Sequence, residues 1–231
     1  SDATVYDESD ANFSLISGGG GNTWFVSTLG SDSNDGTEEN PFATIQHGLN
    51  MSSYEDTILV ASGTYEENIT WPSINGIKLI GSGEDDCFID GNQQASVIRF
   101  EEDLGGIIDS TTLITGFTIQ NGYAQGDNPY EYGGGMYLSS SHPTLTDLTF
   151  SGNTAFIHGG GMWLSSSHPT LTGVTFSGNT ASYGTGGGMN LNLSNPTLIG
   201  VTFSDNTALG GGGMKLNLSN PTLTDVTFSG N

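Results

Sequence analysis

Basic residues are nearly absent from this 231-residue chain, which has three Lys and Arg residues against 25 Asp and Glu residues and a formal net charge of −22. Nucleic acids, anionic membrane surfaces and polyanionic substrates are bound through clustered Lys and Arg side chains. The three basic residues, Lys78, Arg99 and Lys215, are scattered along the chain. The composition therefore argues against all three kinds of partner, and no nucleic acid is expected.

The chain also lacks cysteine pairs and long apolar stretches. Cys87 is the single cysteine, and no run of about 18 apolar residues occurs. Internal disulfides and cysteine-based zinc sites are excluded, and no membrane insertion by this segment is expected. What the sequence has in abundance is glycine, with 36 residues.

From Gly133 the sequence consists of four copies of one repeat. Each copy opens with Gly-Gly-Gly-Met, and the four methionines stand 26, 27 and 25 residues apart. Within a copy, short stretches alternate apolar and polar residues between Gly, Pro, Asn or Ser, which is typical of β-strands. Because a unit of this size cannot bury its apolar residues alone, successive units are predicted to stack as coils of a parallel β-helix.

Stacking in register predicts columns of like side chains at the usual strand spacing of about 4.8 Å. One inward column consists of methionines, another of phenylalanines, and asparagines form an amide ladder at a bend. The members are Met136, Met162, Met189 and Met214; Phe150, Phe176, Phe203 and Phe228; and Asn153, Asn179, Asn206 and Asn231.

These motifs resemble a known architecture. Phe-Ser-Gly-Asn and Gly-Gly-Gly-Met are similar to repeats of chlamydial polymorphic outer-membrane proteins, and of the wider class of secreted parallel β-helix proteins with the pectin-lyase fold. The stretches TWFVSTLGSDSNDGTEENPFATIQHGLN and DTILVASGTYEENI resemble the opening of bacterial pectate-lyase-like proteins. The resemblance implies an all-β, right-handed parallel β-helix with a short N-terminal capping helix over 41–51. Phe42, Ile45 and Leu49, at i, i+3 and i+7, independently favour that helix.

The predicted organisation has four parts. Residues 1–17 are expected to end a preceding Ig-like domain or to form an extended arm, so that the chain is a piece of a larger protein. Residues 18–22 form a glycine-rich linker. Residues 23–132 form an acidic cap with the first coils, and residues 133–231 form the four near-identical repeats of about 26 residues. Residues 1–132 hold 22 of the 25 acidic residues, which leaves the repeats nearly neutral.

Catalysis is not favoured by the repeats. In the class that the chain resembles, lyases use an Arg or Lys base, usually with calcium, and hydrolases use grouped Asp residues. The ionic residues of 133–231 are Asp147, Asp205, Asp225 and Lys215. A polysaccharide lyase or hydrolase is kept as an alternative, built from Lys78, Arg99 and the N-terminal acids or from coils outside this chain.

One segment looks like a calcium loop. Asp32, Asn34, Asp35 and Glu38 place oxygen ligands around the Gly36 turn, and such ligands suit a hard cation. The spacing departs from that of an EF-hand, and a plain Asx-rich turn before the helix is the alternative. Calcium is the cofactor that this segment predicts.

The outward positions vary where the inward columns do not. Tyr137, Trp163, Asn190 and Lys215 follow the four methionines, and the variable links between copies hold further aromatic residues. Aromatic rings beside carboxylates and amides suit a sugar ring, although they also serve to cover the edge of a solenoid. The candidate ligand-binding residues are Asp127, Tyr130, Glu131, Tyr132, Tyr137, Trp163 and Tyr183.

Two further columns allow competing interpretations. His142 and His168 are predicted to stack with Asn195 and Asn220 in a hydrogen-bonded turn ladder, with metal binding as the alternative. Outward threonines in two rows resemble an ice-binding surface, but threonine is also an ordinary strand residue. The rows are Thr144, Thr170, Thr197 and Thr222, and Thr146, Thr172 and Thr224 with Ile199 as a break.

Taken together, these features predict a non-catalytic, extracellular or cell-surface β-helix module for adhesion or glycan binding. Its expected partner is a polysaccharide or the surface of a host or neighbouring cell. The alternatives are the lyase or hydrolase, a structural subunit that stacks end to end through an uncapped final coil, and an ice-binding surface.

Overall fold

The computed structural model describes residues 21–101 and 107–231, which wind as a right-handed parallel β-helix of about six turns. The strands are β1 Thr23–Val26, β2 Thr57–Val60, β3 Gly63–Glu66, β4 Ile69–Thr70, β5 Lys78–Gly81, β6 Cys87–Asp90, β7 Ile98–Phe100, β8 Leu113–Gln120, β9 Tyr123–Ala124, β10 Met136–Ser139, β11 Thr144–Ser151, β12 Thr154–Ala155, β13 Met162–Ser165, β14 Thr170–Thr172, β15 Thr175–Ser177, β16 Thr180–Thr185, β17 Met189–Asn192, β18 Thr197–Ile199, β19 Thr202–Ser204, β20 Thr207–Gly210, β21 Met214–Asn217, β22 Thr222–Thr224 and β23 Thr227–Ser229, and the helix is α1 Ile45–Met51.

Within the described ranges, three parallel sheets surround the core. Sheet 1 has 13 strands, with the path β1-β2-β5-β8-β11-β14-β18-β22 and with β3, β6, β15, β19 and β23 beside it. Sheet 2 has six strands in the order β4-β7-β10-β13-β17-β21, and sheet 3 has four in the order β9-β12-β16-β20. The predicted all-β parallel β-helix with a short helix is confirmed.

The predicted inward columns are present. Met136, Met162, Met189 and Met214 pair directly across β10, β13, β17 and β21. The rings of the phenylalanine column stack with centroids 4.8 to 4.9 Å apart and planes within 8°. The core of the molecule is thus a set of ladders that run along the solenoid axis.

The asparagine ladder is a continuous chain of buried hydrogen bonds. Asn179 Oδ1 accepts from the backbone N–H of Asn153 at 3.1 Å and from Asn153 Nδ2 at 3.0 Å. Asn179 Nδ2 donates to the Phe150 carbonyl at 2.9 Å, and Asn206 repeats the pattern one coil later. Because a buried amide is stable only when its donors and acceptors are paired, each asparagine depends on the next coil.

The glycine triplets allow the coils to approach at one corner. The first glycine has a left-handed backbone, with φ of 68° at both Gly133 and Gly159. The second lies against the neighbouring coil, so that a Cβ on Gly160 would stand 2.5 Å from the Gly187 carbonyl oxygen. A side chain at that position would break the backbone hydrogen bonds that join one coil to the next.

Helix α1 lies at the N-terminal end of the solenoid and is shorter than predicted. It begins at Ile45 instead of residue 41, because Thr44 is its N-cap and Phe42 pairs with Val26 in extended backbone. Ile45 and Leu49 are fully buried, as the amphipathic pattern predicts. Glu67, which no sequence motif identifies, accepts hydrogen bonds from the first two helical N–H groups, those of Ile45 and Gln46, at 2.8 Å each.

At the other end of the solenoid, the coil of β21 to β23 exposes its inward residues. Leu216, Leu223 and Phe228 are exposed, although their partners in earlier coils are buried. A further coil of the same kind would cover them, whereas α1 closes the opposite end. End-to-end self-association stays a prediction.

The predicted preceding domain or arm at residues 1–17 lies outside the described residues, as does most of the predicted linker at 18–22. Sheets 1 and 2 run without interruption across the predicted boundary at residue 132. Among the described residues, no helix is long and apolar enough to cross a membrane.

Replacing Asn179 with Ala should lower the free energy of unfolding by about 3 to 5 kcal/mol, because the variant leaves the buried N–H of Asn153 and the carbonyl of Phe150 unpaired. Urea denaturation followed by circular dichroism measures the loss. The control is Thr175→Ala on the outer face of sheet 1, which should cost less than about 1 kcal/mol. Equal losses in the two variants would contradict a stabilising role for the ladder.

Candidate functional site

The outer face of sheet 2 carries one column of chemically diverse side chains. In register across its six strands are Thr70, Arg99, Tyr137, Trp163, Asn190 and Lys215. The predicted alignment of the last four is confirmed, and Arg99 joins them. The diversity of this column contrasts with the uniform columns inside.

Arg99 attaches the long link at 125–132 to this face. Its guanidinium carbon lies 4.8 Å from the centroid of the Tyr130 ring and 4.1 Å from that of Tyr137. Its Nε donates to Glu101 Oε1 at 2.7 Å, and Nη1 donates to Ser96 Oγ at 3.1 Å. Arg99 is therefore a buried hub, with two cation–π contacts, an ion pair and a hydrogen bond.

The prediction that Tyr137 presents a ring to a ligand is wrong. Tyr137 is 1% exposed, because the Arg99 guanidinium covers its ring and the Tyr130 ring lies against Arg99 in turn. Glu131 is likewise buried. Tyr130 and Asp127, in contrast, are exposed on the link, although Tyr130 also serves as a clamp on Arg99.

Three further rings form a near-parallel cluster beside this hub. The Trp163 ring lies 4.7 Å from Tyr132 and 5.4 Å from His158, with interplanar angles of 23° and 13°. Tyr132 and His158 are 5.5 Å apart and share an isolated β-bridge. All three side chains are half-buried, which leaves part of the cluster open to solvent.

A second aromatic pair lies on the same edge of the solenoid. Phe156 and Tyr183 are 40% and 66% exposed, and their ring centroids are 4.8 Å apart. Because 156–158 is the link from sheet 3 to sheet 2, the pair and the cluster share one corner. We call this surface the aromatic edge; it consists of Tyr132, Phe156, His158, Trp163 and Tyr183.

A polar groove of about 330 Å³ lies on the outer face of sheet 3 next to this edge. It is lined by Gln93, Gly122, Tyr123, Gly152, Thr154 and Ser182. Thr154 and Ser182 stand within two residues of Phe156 and Tyr183 in the chain. Sequence reasoning missed this groove, because Gln93 comes from an earlier coil and no motif links it to Ser182.

Glu131 lies next to two residues of the aromatic edge, Tyr132 and His158. Its side chain is buried, and its Oε2 atom has no hydrogen-bond partner among the described residues. Burial, followed by the charge and hydrogen bond of Glu131, raises the pKa of Tyr132. The same charge opposes the lowering of the His158 pKa that burial produces.

His158 is held as a hydrogen-bond acceptor. Its Nδ1 accepts from the backbone N–H of Thr185 at 3.1 Å, so the proton of the neutral ring sits on Nε2. Asn190 Nδ2 donates to the Thr185 carbonyl at 2.9 Å and completes the local network. The ring is thereby fixed next to Trp163.

The predicted calcium loop is held together by its own hydrogen bonds. Asp32 Oδ1 accepts from the N–H groups of Ala43 and Thr44 at 2.9 and 3.0 Å, and Asp35 Oδ1 accepts from the Thr37 hydroxyl at 2.8 Å. Asn34 Nδ2 donates to the Pro41 carbonyl at 2.9 Å. Within the described part of the chain, no three His, Cys, Asp or Glu side chains cluster as a metal site, Glu38 included. Calcium binding by Asp32, Asn34, Asp35 and Glu38 stays a prediction.

The histidine column is a hydrogen-bonded ladder, as predicted. His142 Nδ1 accepts from the N–H of His168, and His168 Nδ1 accepts from the N–H of Asn195, each at 2.9 Å. The two imidazoles stack 5.0 Å apart with planes at 2°. Asn195 Oδ1 then accepts from the N–H of Asn220 at 2.6 Å, so histidine and asparagine serve the same purpose here.

The threonine rows also lie in register on sheet 1. Thr144, Thr170, Thr197 and Thr222 pair in sequence, and the second row is broken where Ile199 pairs with Thr172 and Thr224. The rows are hydroxyl-rich but short, and ice binding stays an alternative.

The enzymatic alternative depends on Lys78, Arg99 and the acidic residues of the N-terminal coils. Lys78 lies on β5 of sheet 1, whereas Arg99 lies on β7 of sheet 2 and is engaged by Glu101. The two bases therefore occupy different sheets. Asp147, Asp205 and Asp225 stand at left-handed positions, with φ between 48° and 54°.

Residues 28–218 match the model of a protein family of unknown function, DUF1565. The chain belongs to this family. The chain is also 31% identical over 150 residues to the uncharacterized protein YwoF of Bacillus subtilis (strain 168), in a match that covers 63% of this chain and 31% of that protein. The chain thus spans less than a third of the length of this relative.

Two solved structures resemble the fold of this DUF1565 chain. A rhamnogalacturonan lyase has a TM-score of 0.58 at 15% identity, covering 91% of this chain and 56% of that one. A pectin methylesterase in complex with a hexasaccharide has a TM-score of 0.56 at 14% identity, covering 87% and 65%. At these identities the likeness concerns the fold, which is the pectin-lyase-like parallel β-helix.

Replacing His142 with Asn should reduce the loss of stability on acidification. Burial, and then the charge of His168, lowers the pKa of His142, so below about pH 6.5 the unfolded chain binds a proton that the folded chain resists. Stability from this residue is present above that pH and is lost as the pH falls. Asparagine keeps the ladder bond, as Asn195 does, without titrating.

Thermal melts at pH 7 and pH 5 test this prediction. The difference between the two melting temperatures should be smaller for His142→Asn than for the unchanged chain, since the carboxylates contribute alike to both. Identical differences would contradict a titrating role for His142.

Replacing Arg99 with Ala should release the link at 125–132, because the two cation–π contacts and the Glu101 ion pair are lost together. Chymotrypsin cleavage after Tyr130 is expected to accelerate about tenfold, in line with a loss of 1 to 2 kcal/mol. Lys215→Ala, in the same outward column but exposed, is the control and should leave the rate unchanged. A link that stays equally resistant in both variants would contradict the role of Arg99.

Proposed function

We propose that this chain is a non-catalytic, extracellular β-helix module that binds glycans through the aromatic edge. The observation that carries the proposal is the set of partly exposed rings, Trp163 and Tyr132 with Phe156 and Tyr183, beside a polar groove. Rings of this kind stack on the C–H face of a sugar, and neighbouring hydroxyl and amide groups read its hydroxyls. The edge and the groove together offer both kinds of contact.

The rigidity of the edge supports binding. The Trp163 backbone is fixed on both sides within sheet 2, and its ring is held by Tyr132 and His158. A surface whose side chains are already ordered loses little conformational entropy when a ligand binds. The scaffold therefore favours recognition of a weakly interacting, repetitive ligand such as a polysaccharide.

The chemistry of the edge favours binding over turnover. Hydrolysis of a glycosidic bond needs two carboxyl groups facing each other across the sugar. Glu131 is buried, Asp147 lies within β11, and Asp205 and Asp225 lie at bends directly after β19 and β22 of sheet 1. A polysaccharide lyase or hydrolase remains the competing function, and new unsaturated products or new reducing ends from a polysaccharide would favour it.

Replacing Trp163 with Ala should weaken glycan binding by at least about tenfold, because the central ring of the cluster is removed. A glycan array and calorimetry on its hits measure the effect. Tyr183→Ala should weaken binding as well, since this ring is the most exposed of the edge.

The matched control is Thr172→Ala, an outward residue of β14 on sheet 1, away from the edge. It should leave binding unchanged, and the thermal melt of each variant should show that it is folded. Glycan affinity that is unchanged in both aromatic variants would exclude the edge as the binding surface.

A further inference from the structure

We propose that the aromatic edge selects uncharged glycans and rejects uronate-containing ones. This inference rests on the proposed glycan-binding function and specifies its ligand class. It follows from where the few cations and the nearby carboxylates of the described chain lie.

No cation of the described residues is available at the edge to neutralise a sugar carboxylate. Arg99, which lies two strands from Trp163 in the column, is 6% exposed and is occupied by Glu101, Ser96 and two tyrosine rings. Lys78 is on sheet 1. His158 uses Nδ1 as an acceptor for Thr185, an arrangement that favours the neutral ring.

Lys215 is the second basic residue of the column and lies on the opposite side of Trp163 from Arg99. It lies two strands beyond Trp163, past Asn190, which at the spacing of adjacent strands is about 10 Å. That distance exceeds the Debye length of about 8 Å at physiological ionic strength, so the charge of Lys215 is largely screened at the rings.

Carboxylates of the same region would repel a uronate. Glu131 lies buried next to Tyr132 and His158, where a charge is poorly screened, and its Oε2 has no partner among the described residues. Asp127 is exposed on the link above. A second carboxylate brought to the edge by a ligand would add like charge to a site without a counter-charge.

The polar groups that remain are suited to hydroxyls. The groove offers the Gln93 amide and the hydroxyls of Thr154 and Ser182, which both donate and accept hydrogen bonds. These groups recognise neutral sugar hydroxyls without requiring a compensating charge.

The experiment measures the binding of the full chain to matched pairs of polysaccharides that differ in carboxylate content. Polygalacturonate is compared with its methyl ester, and carboxymethyl cellulose with hydroxyethyl cellulose, in an array that also contains neutral xylan, β-glucan and galactomannan. Affinity electrophoresis ranks all members, and calorimetry at two salt concentrations quantifies the hits. We expect binding to at least one neutral glycan, and at least tenfold weaker binding to every carboxylated polymer.

The outcomes separate this inference from the proposed function. A carboxylated polymer that binds as tightly as the best neutral glycan overturns the inference and leaves glycan binding intact. No binding to any member overturns the proposed function, and the inference with it.

Glu131→Gln tests the cause of the selectivity, because it removes the charge and keeps the shape of the side chain. The affinity for a neutral polymer divided by the affinity for its carboxylated counterpart should fall at least threefold in this variant. The ratio should fall less in Asp127→Asn, because solvent screens the charge of the exposed Asp127. An unchanged ratio in Glu131→Gln would overturn the electrostatic origin of the selectivity.

Discussion

The whole structure depends on the backbone hydrogen bonds that join each coil to the next in register. Gly134, Gly135 and Met136 donate to Gly159, Gly160 and Gly161 of the following coil at 2.9 to 3.1 Å, and the next coils repeat this pattern. Because parallel strands in register place equivalent positions side by side, each inward side chain of the repeats lies against its equivalent in the next coil at the strand spacing. A residue is therefore acceptable inside the solenoid only if it stacks well on its own kind.

This constraint separates the positions that carry stability from those that are free to carry function. Phenylalanine, methionine and asparagine stack on themselves, so the interior repeats them. The side chains in the outward column of sheet 2 need not stack on their own kind. The residue accordingly changes from coil to coil, from Arg99 to Tyr137, Trp163 and Asn190. The links also vary in length, because they lie outside the strand ladders. Recognition is accordingly expected where an outward column meets the links, and the aromatic edge is that place.

The sequence predicts those features that recur once per coil. The methionine, phenylalanine and asparagine columns could be identified from spacing alone, because register turns a repeat in sequence into a contact in space. The start of α1 could not be predicted in this way. It depends on Asp32 and Glu67, which accept hydrogen bonds from N–H groups at the helix N-terminus that are 11 to 22 residues away in sequence. The burial of Tyr137 was missed for a related reason. It arises from the long link at 125–132, whose Tyr130 packs against Arg99 of an earlier coil. Because this contact occurs only once, the repeat pattern does not predict it.

The distribution of charge also follows from the stacking of near-identical coils. A ladder of identical ionised side chains at about 4.8 Å would repel itself, so a stack of repeats has to be nearly neutral. The repeats accordingly keep three acids and one base, whereas the acidic residues gather in 1–132, where no column is repeated as a near-identical copy. Two basic residues enter the outward column of sheet 2: Arg99 is buried with Glu101 as its partner, and Lys215 is exposed two strands from Trp163. The preference for uncharged glycans that we propose for the edge would follow from this distribution of charge.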